Sequence, residues 1–260
     1  SLDDYREIRK TETEYYESHA PLLVEKPPAA TLMVVPALAR PEFKLEYEVI
    51  AVIDRAAADW QVTYYPEYWG GTELAFPHVP REHAKFARTQ VAGNLVIVSG
   101  CQALDHDSVK TETSDVAEQS EIVLEKIRIG MEETGGDLSS LAKTNVFVKA
   151  ADALEIYRRV ERAYFKKHSP EAFARPPAST AFIVAELPRP EFLIGVEASG
   201  VIDKGAPGFA YSQQAGTETA AASVTVGKLV FLSGCEAGEL SAGALEDEVT
   251  AALEKVRAAL

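Results

Sequence analysis

The tetrapeptide Arg-Pro-Glu-Phe occurs twice, at Arg40–Phe43 and Arg189–Phe192, inside a much longer self-match that constrains any fold the chain can adopt. Pro27-Pro28-Ala29 answers Pro176-Pro177-Ala178, and His19-Ala20-Pro21 answers His168-Ser169-Pro170. Val52-Ile53-Asp54-Arg55 answers Val201-Ile202-Asp203-Lys204, so residues 1–55 repeat 150–204 without a gap. A second self-match with a different offset relates the stretch from Gly93 to Cys101 to that from Gly227 to Cys235. Leu124-Glu125-Lys126-Ile127-Arg128 then returns as Leu253-Glu254-Lys255-Val256-Arg257. Repeats of this kind mark one structural unit used more than once. The expected organisation is the back half of a split module at 1–55, an aromatic-rich linker at 56–83, an intact module at 84–204, and the front half of the split module at 205–260.

The two halves together lack a counterpart of residues 132–149, which include the apolar run Thr144-Asn145-Val146-Phe147-Val148. Ala258-Ala259-Leu260 stops a helical pattern without a Gly or Asn cap, and Ser1 is not an initiator Met. The expectation is that the ends are cut or re-ordered. The alternative is a permuted gene product that leaves a gap in a sheet.

Within the intact module, 86–91 and 94–99 are expected to be strands joined by a tight turn at Ala92-Gly93. A helix is predicted from Ser114 to about Glu133, with Val116, Val123, Ile127 and Met131 near one face and Gly135-Gly136 ending it. A strand follows at 144–149, then a helix from Asp152 to about Lys167 with Ile156, Val160 and Tyr164 inward. Strands at 179–186 and 192–201 are separated by Pro188-Arg189-Pro190, which cannot sit inside a ladder. The order ββαβαββ predicts an α+β fold, a mixed sheet covered on one face by two helices.

Composition narrows the function. The 260 residues suffice for two ordinary domains. Forty acidic against 26 basic residues give a net charge of −14, which disfavours a nucleic-acid partner. No apolar stretch approaches a membrane span, so no membrane partner is expected. Two cysteines, both following Ser-Gly, fit reduced thiols and a cytoplasmic protein. Neither a Gly-rich phosphate loop nor a metal-ligand cluster is evident, and a cofactor is not implied.

The element order, with Val91-Ala92-Gly93-Asn94-Leu95 leading to Ser99-Gly100 and with Leu187-Pro188-Arg189-Pro190-Glu191-Phe192 before the last strand, resembles the Rid family. These are the YjgF-type reactive-intermediate deaminases. The resemblance covers essentially all of 84–204, and the flanking halves share it through their match to that module. It implies two chorismate-mutase-like modules and a homotrimer, here a pseudo-hexamer of modules, with small-molecule clefts between neighbours. It also implies an arginine in a Pro-Ala-Arg-Ser/Thr segment that grips a substrate carboxylate by two hydrogen bonds. Here that segment is Arg175-Pro176-Pro177-Ala178-Ser179-Thr180, with Ala178 or Ser179 at the arginine position, and Ala29 or Ala30 in the other copy. The missing clamp should cost roughly 2–5 kcal/mol of carboxylate recognition. Simple 2-iminoacids are therefore expected to turn over near background.

Other site elements match. The family's last-strand glutamate falls at Glu197 and Glu48. Each is either a general acid/base, its pKa raised by partial burial, or a sheet-face carboxylate paired with a cation. The Ser-Gly turn of the family cleft falls at Ser99-Gly100 and Ser233-Gly234, where N–H groups either hold an oxyanion or merely end a strand. Cys101 and Cys235 stand where the family commonly has Gln, as nucleophiles or as small packing residues. Arg175 is the candidate replacement cation, although its counterpart is Lys26; Arg88 is a second. Glu46-Tyr47-Glu48 keeps two carboxylates on one strand face, whereas Gly195 replaces the first of them in the intact module. That favours the Glu48 site for acid/base work. Trp60, Tyr64, Tyr65, Tyr68 and Trp69 either line a cleft or glue the modules together. The reading is a hydrolase or lyase acting on an imine- or enamine-like nitrogen compound. The alternatives are a non-catalytic ligand-binding module and, less favoured by charge, a ribonuclease or translation inhibitor.

Overall fold

A computed structural model describes residues 5–25, 27–40, 42–51, 60–63, 86–104, 111, 113–202, 208–213, 219–236 and 245–260. Helices α1 (Tyr5–His19) and α2 (Leu22–Glu25) precede strand β1 (Trp60–Thr63). Then come β2 (Thr89–Ala92), β3 (Leu95–Gln102), α3 (Val116–Glu133), β4 (Leu141–Val148), α4 (Ala151–His168) and α5 (Pro170–Ala174). The chain continues through β5 (Ala178–Ile183), β6 (Ile194–Val201), β7 (Ala210–Gln213), β8 (Ala221–Val226), β9 (Leu229–Leu232) and α6 (Leu245–Ala259).

Local chemistry explains most boundaries. Gly93, at φ 60°, turns β2 into β3, and Gly227, at φ 59°, turns β8 into β9. Left-handed backbone there is cheap only for glycine. The Asp115 carboxylate accepts from the amides of Ala117 and Glu118 and so starts α3. Gly135, at φ 86°, ends that helix. Ser169 caps α5 and Pro170 opens it, where the missing N–H costs nothing.

The strands form one mixed sheet in the order β1-β2-β3-β6-β4-β5-β8-β7, with β9 on β8. β4 and β5 run parallel in register from Lys143–Ala178 to Val148–Ile183. β6 lies antiparallel between β3 and β4. α3 and α4 cover one face. Val123, Leu124, Ile127 and Met131 of α3 and Tyr157, Tyr164 and Phe165 of α4 close over Val96, Val98, Val146, Val148, Ile194 and Val196. The module from β2 to β6 is thus the α+β layer arrangement the pattern predicts, with boundaries shifted by a few residues and an additional short helix at α5. Among the described residues no helix is long and apolar enough to cross a membrane.

The flanking segments behave differently. Residues 43–50 correspond to the start of β6 and were expected to be a strand. They form none, and Phe43, Tyr47, Val49 and Ile50 are exposed. β6 is held between β3 and β4, whereas 43–50 pair with no strand among the described residues. α6, the counterpart of α3, buries no residue, and Leu245 and Leu260 are about three-quarters exposed. The strand β1 at Trp60–Thr63 extends the sheet from β2, while Tyr64, Tyr65, Tyr68 and Trp69 lie outside the described residues.

Gly200 provides a test of the core. A Cβ there would come within 2.7 Å of the Ser140 carbonyl oxygen and 2.6 Å of Met131 Cε. The carbonyl belongs to backbone and cannot swing away. Gly200→Ala should therefore lower unfolding free energy by about 1–3 kcal/mol in a urea titration, despite removing a flexible glycine.

Candidate functional site

Each Ser-Gly-Cys stretch closes onto the segment that follows a Pro-Pro pair, residues 29–31 in one case and the start of β5 in the other, and most contacts of the two closures correspond. At the first, Ser99 Oγ donates to the Ala87 carbonyl at 2.5 Å and accepts from the Ala30 amide at 2.9 Å. At the second, Ser233 Oγ donates to the Ala221 carbonyl at 2.5 Å and accepts from the Ser179 amide at 2.7 Å. The Ala87 amide donates to Pro28 O at 3.1 Å and the Ala221 amide to Pro177 O at 3.2 Å. Parallel bridges Ala29–Ala87 and Ala178–Ala221 complete the pattern. A hydroxyl suits this place because one atom can both donate and accept. Glycine suits the next, since a Cβ at Gly100 or Gly234 would sit 2.8 Å from Thr31 Cγ2 or Thr180 Cγ2.

The glycine amides, expected as oxyanion donors, are already engaged. Gly100 N donates to Ala30 O and Thr31 Oγ1, and Gly234 N donates to Ser179 O. An oxyanion would have to displace these partners.

The second junction carries a polar cluster. Strand alternation sends Thr144 and Val146 of β4 toward the helices and Lys143 and Asn145 to the opposite face. Lys143 Nζ donates to Thr180 Oγ1 and to the Leu232 carbonyl. Asn145 Nδ2 donates to Glu197 Oε1 at 2.7 Å across the β4–β6 pairing. Burial pushes the Lys143 ammonium down to about 8, and the positive Arg158 acts in the same direction. Cys235 and Glu197 oppose them. On the helix side, Arg158 Nη2 donates to Ser179 Oγ at 2.7 Å and Nη1 to Glu161 Oε2 at 2.7 Å. Burial first, and then the Glu161 charge, hold the Tyr157 hydroxyl well above its usual range. Tyr157 therefore stays a neutral donor to Glu161 at 2.8 Å.

The first junction is a variation on this plan. Arg9 and Glu12, the repeat partners of Arg158 and Glu161, form an ion pair at 2.5 Å. Ala30 stands where the second junction has Ser179. Arg9, Ala30, Gly100, Gln102, Arg189 and Phe192 help line a small, shallow cleft that is open to solvent.

The structure distributes the candidate residues unevenly. Cys101 is 1% exposed inside the main core, with Sγ donating to Ser99 O at 3.4 Å. Its surroundings are those of a packing residue. Cys235 is half-buried, donates to Ser233 O at 3.5 Å, and acts electrostatically on Lys143 together with Glu197. Ser233, Gly234, Cys235 and Glu197 thus gather at one junction, and Ser99 and Gly100 lie at the other. Glu48 and Glu46 lie on the exposed segment 42–51, without the strand that would align them. Arg175 is exposed and stacks over the Tyr211 ring at 5.7 Å; its counterpart Lys26 lies outside the described residues. Arg88 is ion-paired with Glu133 at 2.6 Å. Sequence reasoning missed Lys143, Asn145, Thr180 and Arg158. The signal was available for the first two, which are polar residues two apart on a strand that continues into the apolar Val146, Phe147 and Val148. Among the described residues no group of three His, Cys, Asp or Glu side chains could hold a metal ion.

Two outcomes follow from this geometry. Ser233→Ala should leave the Ala221 carbonyl and Ser179 amide short of a partner and cost about 1–3 kcal/mol in denaturant unfolding. Lys143 should also impose a pH dependence on stability. In the unfolded chain it keeps its proton to its ordinary value of 10.5, whereas the folded protein releases it near 8. Between these values the unfolded state binds more protons, so this contribution to stability rises with pH. Denaturation midpoints measured from pH 7.5 to 10 should show a rise that Lys143→Met lacks.

Comparison with known proteins finds similarity over the middle of the chain. Residues 77–202 match the family model described as Endoribonuclease L-PSP. A RutC family protein of Pyrococcus abyssi is 27% identical over 119 residues, covering 46% of this chain and 87% of that protein. One from Drosophila melanogaster is 29% identical over 105 residues, covering 40% and 71%. The solved structure of the YjgF gene product from E. coli aligns with a TM-score of 0.42 at 27% identity, over 46% of this chain and 90% of that one. E. coli TdcF with bound serine aligns with a TM-score of 0.42 at 21% identity, again over 46% and 90%. Residues 77–202, just under half of the chain, are thus similar to the Endoribonuclease L-PSP family model and to RutC family proteins.

Proposed function

We propose that this protein is a Rid-type small-molecule enzyme, a hydrolase or lyase acting on an imine- or enamine-like nitrogen compound where β5 meets the 219–236 segment. The observation that carries the reading is the cluster of Lys143, Asn145, Thr180 and Glu197 on one sheet face beside the Ser233-Gly234-Cys235 turn. A carboxylate held by an amide donor, next to a half-buried amine, can shuttle protons to and from nitrogen. Neither strand position of the archetypal arginine carries a cation. The positive charge comes instead from Lys143 on the open face and from Arg158 behind Ser179.

The chain in this reading holds two modules, one intact and one split between its ends. Both junctions join the front of one module to the back of another, and such head-to-tail contacts repeat into a closed ring when the rotation allows. A homotrimer of six modules would cover Phe43, Tyr47, Val49, Leu245 and Leu253, which are otherwise exposed. Any acid/base role for Glu48 belongs to that assembly, where 42–51 would gain a strand partner. The protein is taken as cytoplasmic, with reduced cysteines. The endoribonuclease in the family model's description is the weaker reading, because a net charge of −14 repels a phosphate backbone.

Ammonia release from a panel of imines, with and without a carboxylate, tests the proposal. Release above background is expected for at least one of them, with 2-iminopropionate a poor substrate. Glu197→Gln keeps an oxygen for Asn145 and should lower kcat by about 10²-fold or more. If no imine is consumed while aromatic acids raise the melting temperature, the protein is a binding module and the enzymatic reading fails.

A further inference from the structure

We infer that Lys143 is a nucleophile, an amine that bonds covalently to the carbonyl or imine carbon of a small substrate at the β5–β8 junction. This rests on the reading of that junction as the site, and it adds the chemical step and the substrate class, an aldehyde, ketone or their imines.

The geometry supports it in three ways. First, among the described residues Lys143 has neutral oxygens as its hydrogen-bond partners, the Thr180 hydroxyl and the Leu232 carbonyl. The nearby Glu197 carboxylate is held by Asn145 instead. An ammonium without a carboxylate in contact loses its proton more readily than one in an ion pair. Second, the residue lies on the sheet face away from the helices, where β4, β5 and the 232–235 segment meet. That places the amine at a boundary between segments rather than in the core. Third, Arg158 sits behind it and contributes to holding the amine near 8. Relative to a lysine at 10.5, such an amine has roughly a hundredfold or more free base at neutral pH. Desolvation and a neighbouring cation are the two devices by which lysines become Schiff-base nucleophiles.

The step balances with water as the only co-reactant. The Nζ lone pair attacks the imine carbon, and the carbon–nitrogen double bond opens onto the substrate nitrogen. The two protons lost by Nζ pass in turn to that nitrogen, with Glu197 as the nearby carrier. Ammonia departs as the double bond re-forms to Nζ. Water then adds to the lysine imine, releasing the carbonyl compound and the free amine. With a carbonyl substrate the first stage expels water instead. Thr180 has a rotatable hydroxyl, so it can accept from the ammonium or donate to the neutral amine. This route holds the substrate by a covalent bond and so needs no arginine clamp.

The test is reductive trapping of the full chain with acetone, a ketone without a carboxylate, and borohydride, followed by peptide mapping. An isopropyl group should appear on Lys143, about tenfold or more above any other lysine at pH 7.5. Its yield should climb as pH rises through about 8. Lys143→Arg keeps the charge but cannot form the adduct, and it should abolish both the label and ammonia release from the active imine. The same label measured on wild-type protein at pH 6 and pH 9 provides a second readout that needs no folded variant. Labelling spread evenly over the lysines, or a yield at Lys143 that does not change with pH, overturns the inference. Ammonia release that survives Lys143→Arg also overturns it but leaves the hydrolase reading standing. A Lys143 adduct without ammonia release from any imine keeps the nucleophile and removes the hydrolase.

Discussion

A serine hydroxyl that joins two backbones is the contact on which the arrangement of this molecule turns. Ser99 and Ser233 each lie at the end of a hairpin, and each binds a carbonyl of its own segment and an amide from another. Both oxygens are buried, so neither bond competes with water, and loss of either leaves polar groups stranded. The pairing of β5 with β8 is otherwise a single residue pair, Ala178 with Ala221. So short a ladder cannot set the distance between two segments. The hydroxyl, the adjoining proline carbonyl and the close approach of glycine to threonine set it instead.

That fixed distance creates the electrostatics of the second junction. Thr180 is held against Gly234, and its hydroxyl and Leu232 O then define where Lys143 Nζ can go. Burial there disfavours charge more than Glu197 and Cys235 favour it. The first junction has the same backbone frame and a corresponding arginine on the helix, Arg9, paired with Glu12. One frame thus presents two different surfaces, an amine beside a carboxylate in one case and a cleft flanked by Arg9 and Arg189 in the other.

Much of this could be read from the sequence. The repeat, the ββαβαββ order and the covered sheet face were all legible, because periodicity and glycine, proline and cap residues act locally. The Ser-Gly turns were recognisable as special, though not what they bind, since Ala30 and Ser179 lie 69 and 54 positions away. Lys143 was hidden for a related reason. Its neighbours in sequence say only that it is on a strand, and its perturbed amine depends on Leu232, Cys235 and Arg158, which no local pattern brings together. The clearest departure concerned 43–50, where a close sequence match to β6 did not produce a strand.

That departure shows what makes β6 a strand. Phe43 through Ile50 match Phe192 through Ser199, with apolar residues alternating in nearly the same places, so intrinsic preference is similar in both copies. What differs is the neighbourhood. β6 pairs with β3 on one side and β4 on the other, and Val196 and Ala198 close under α3 and α4. Residues 43–50 have neither ladder beside them, so their apolar side chains remain in water. Strand propensity of about 1 kcal/mol or less per residue cannot replace two ladders and a covering layer. An apolar segment outside any ladder is also the feature that sheet proteins otherwise avoid exposing. Its alternation is the imprint of partners rather than a cause of the strand.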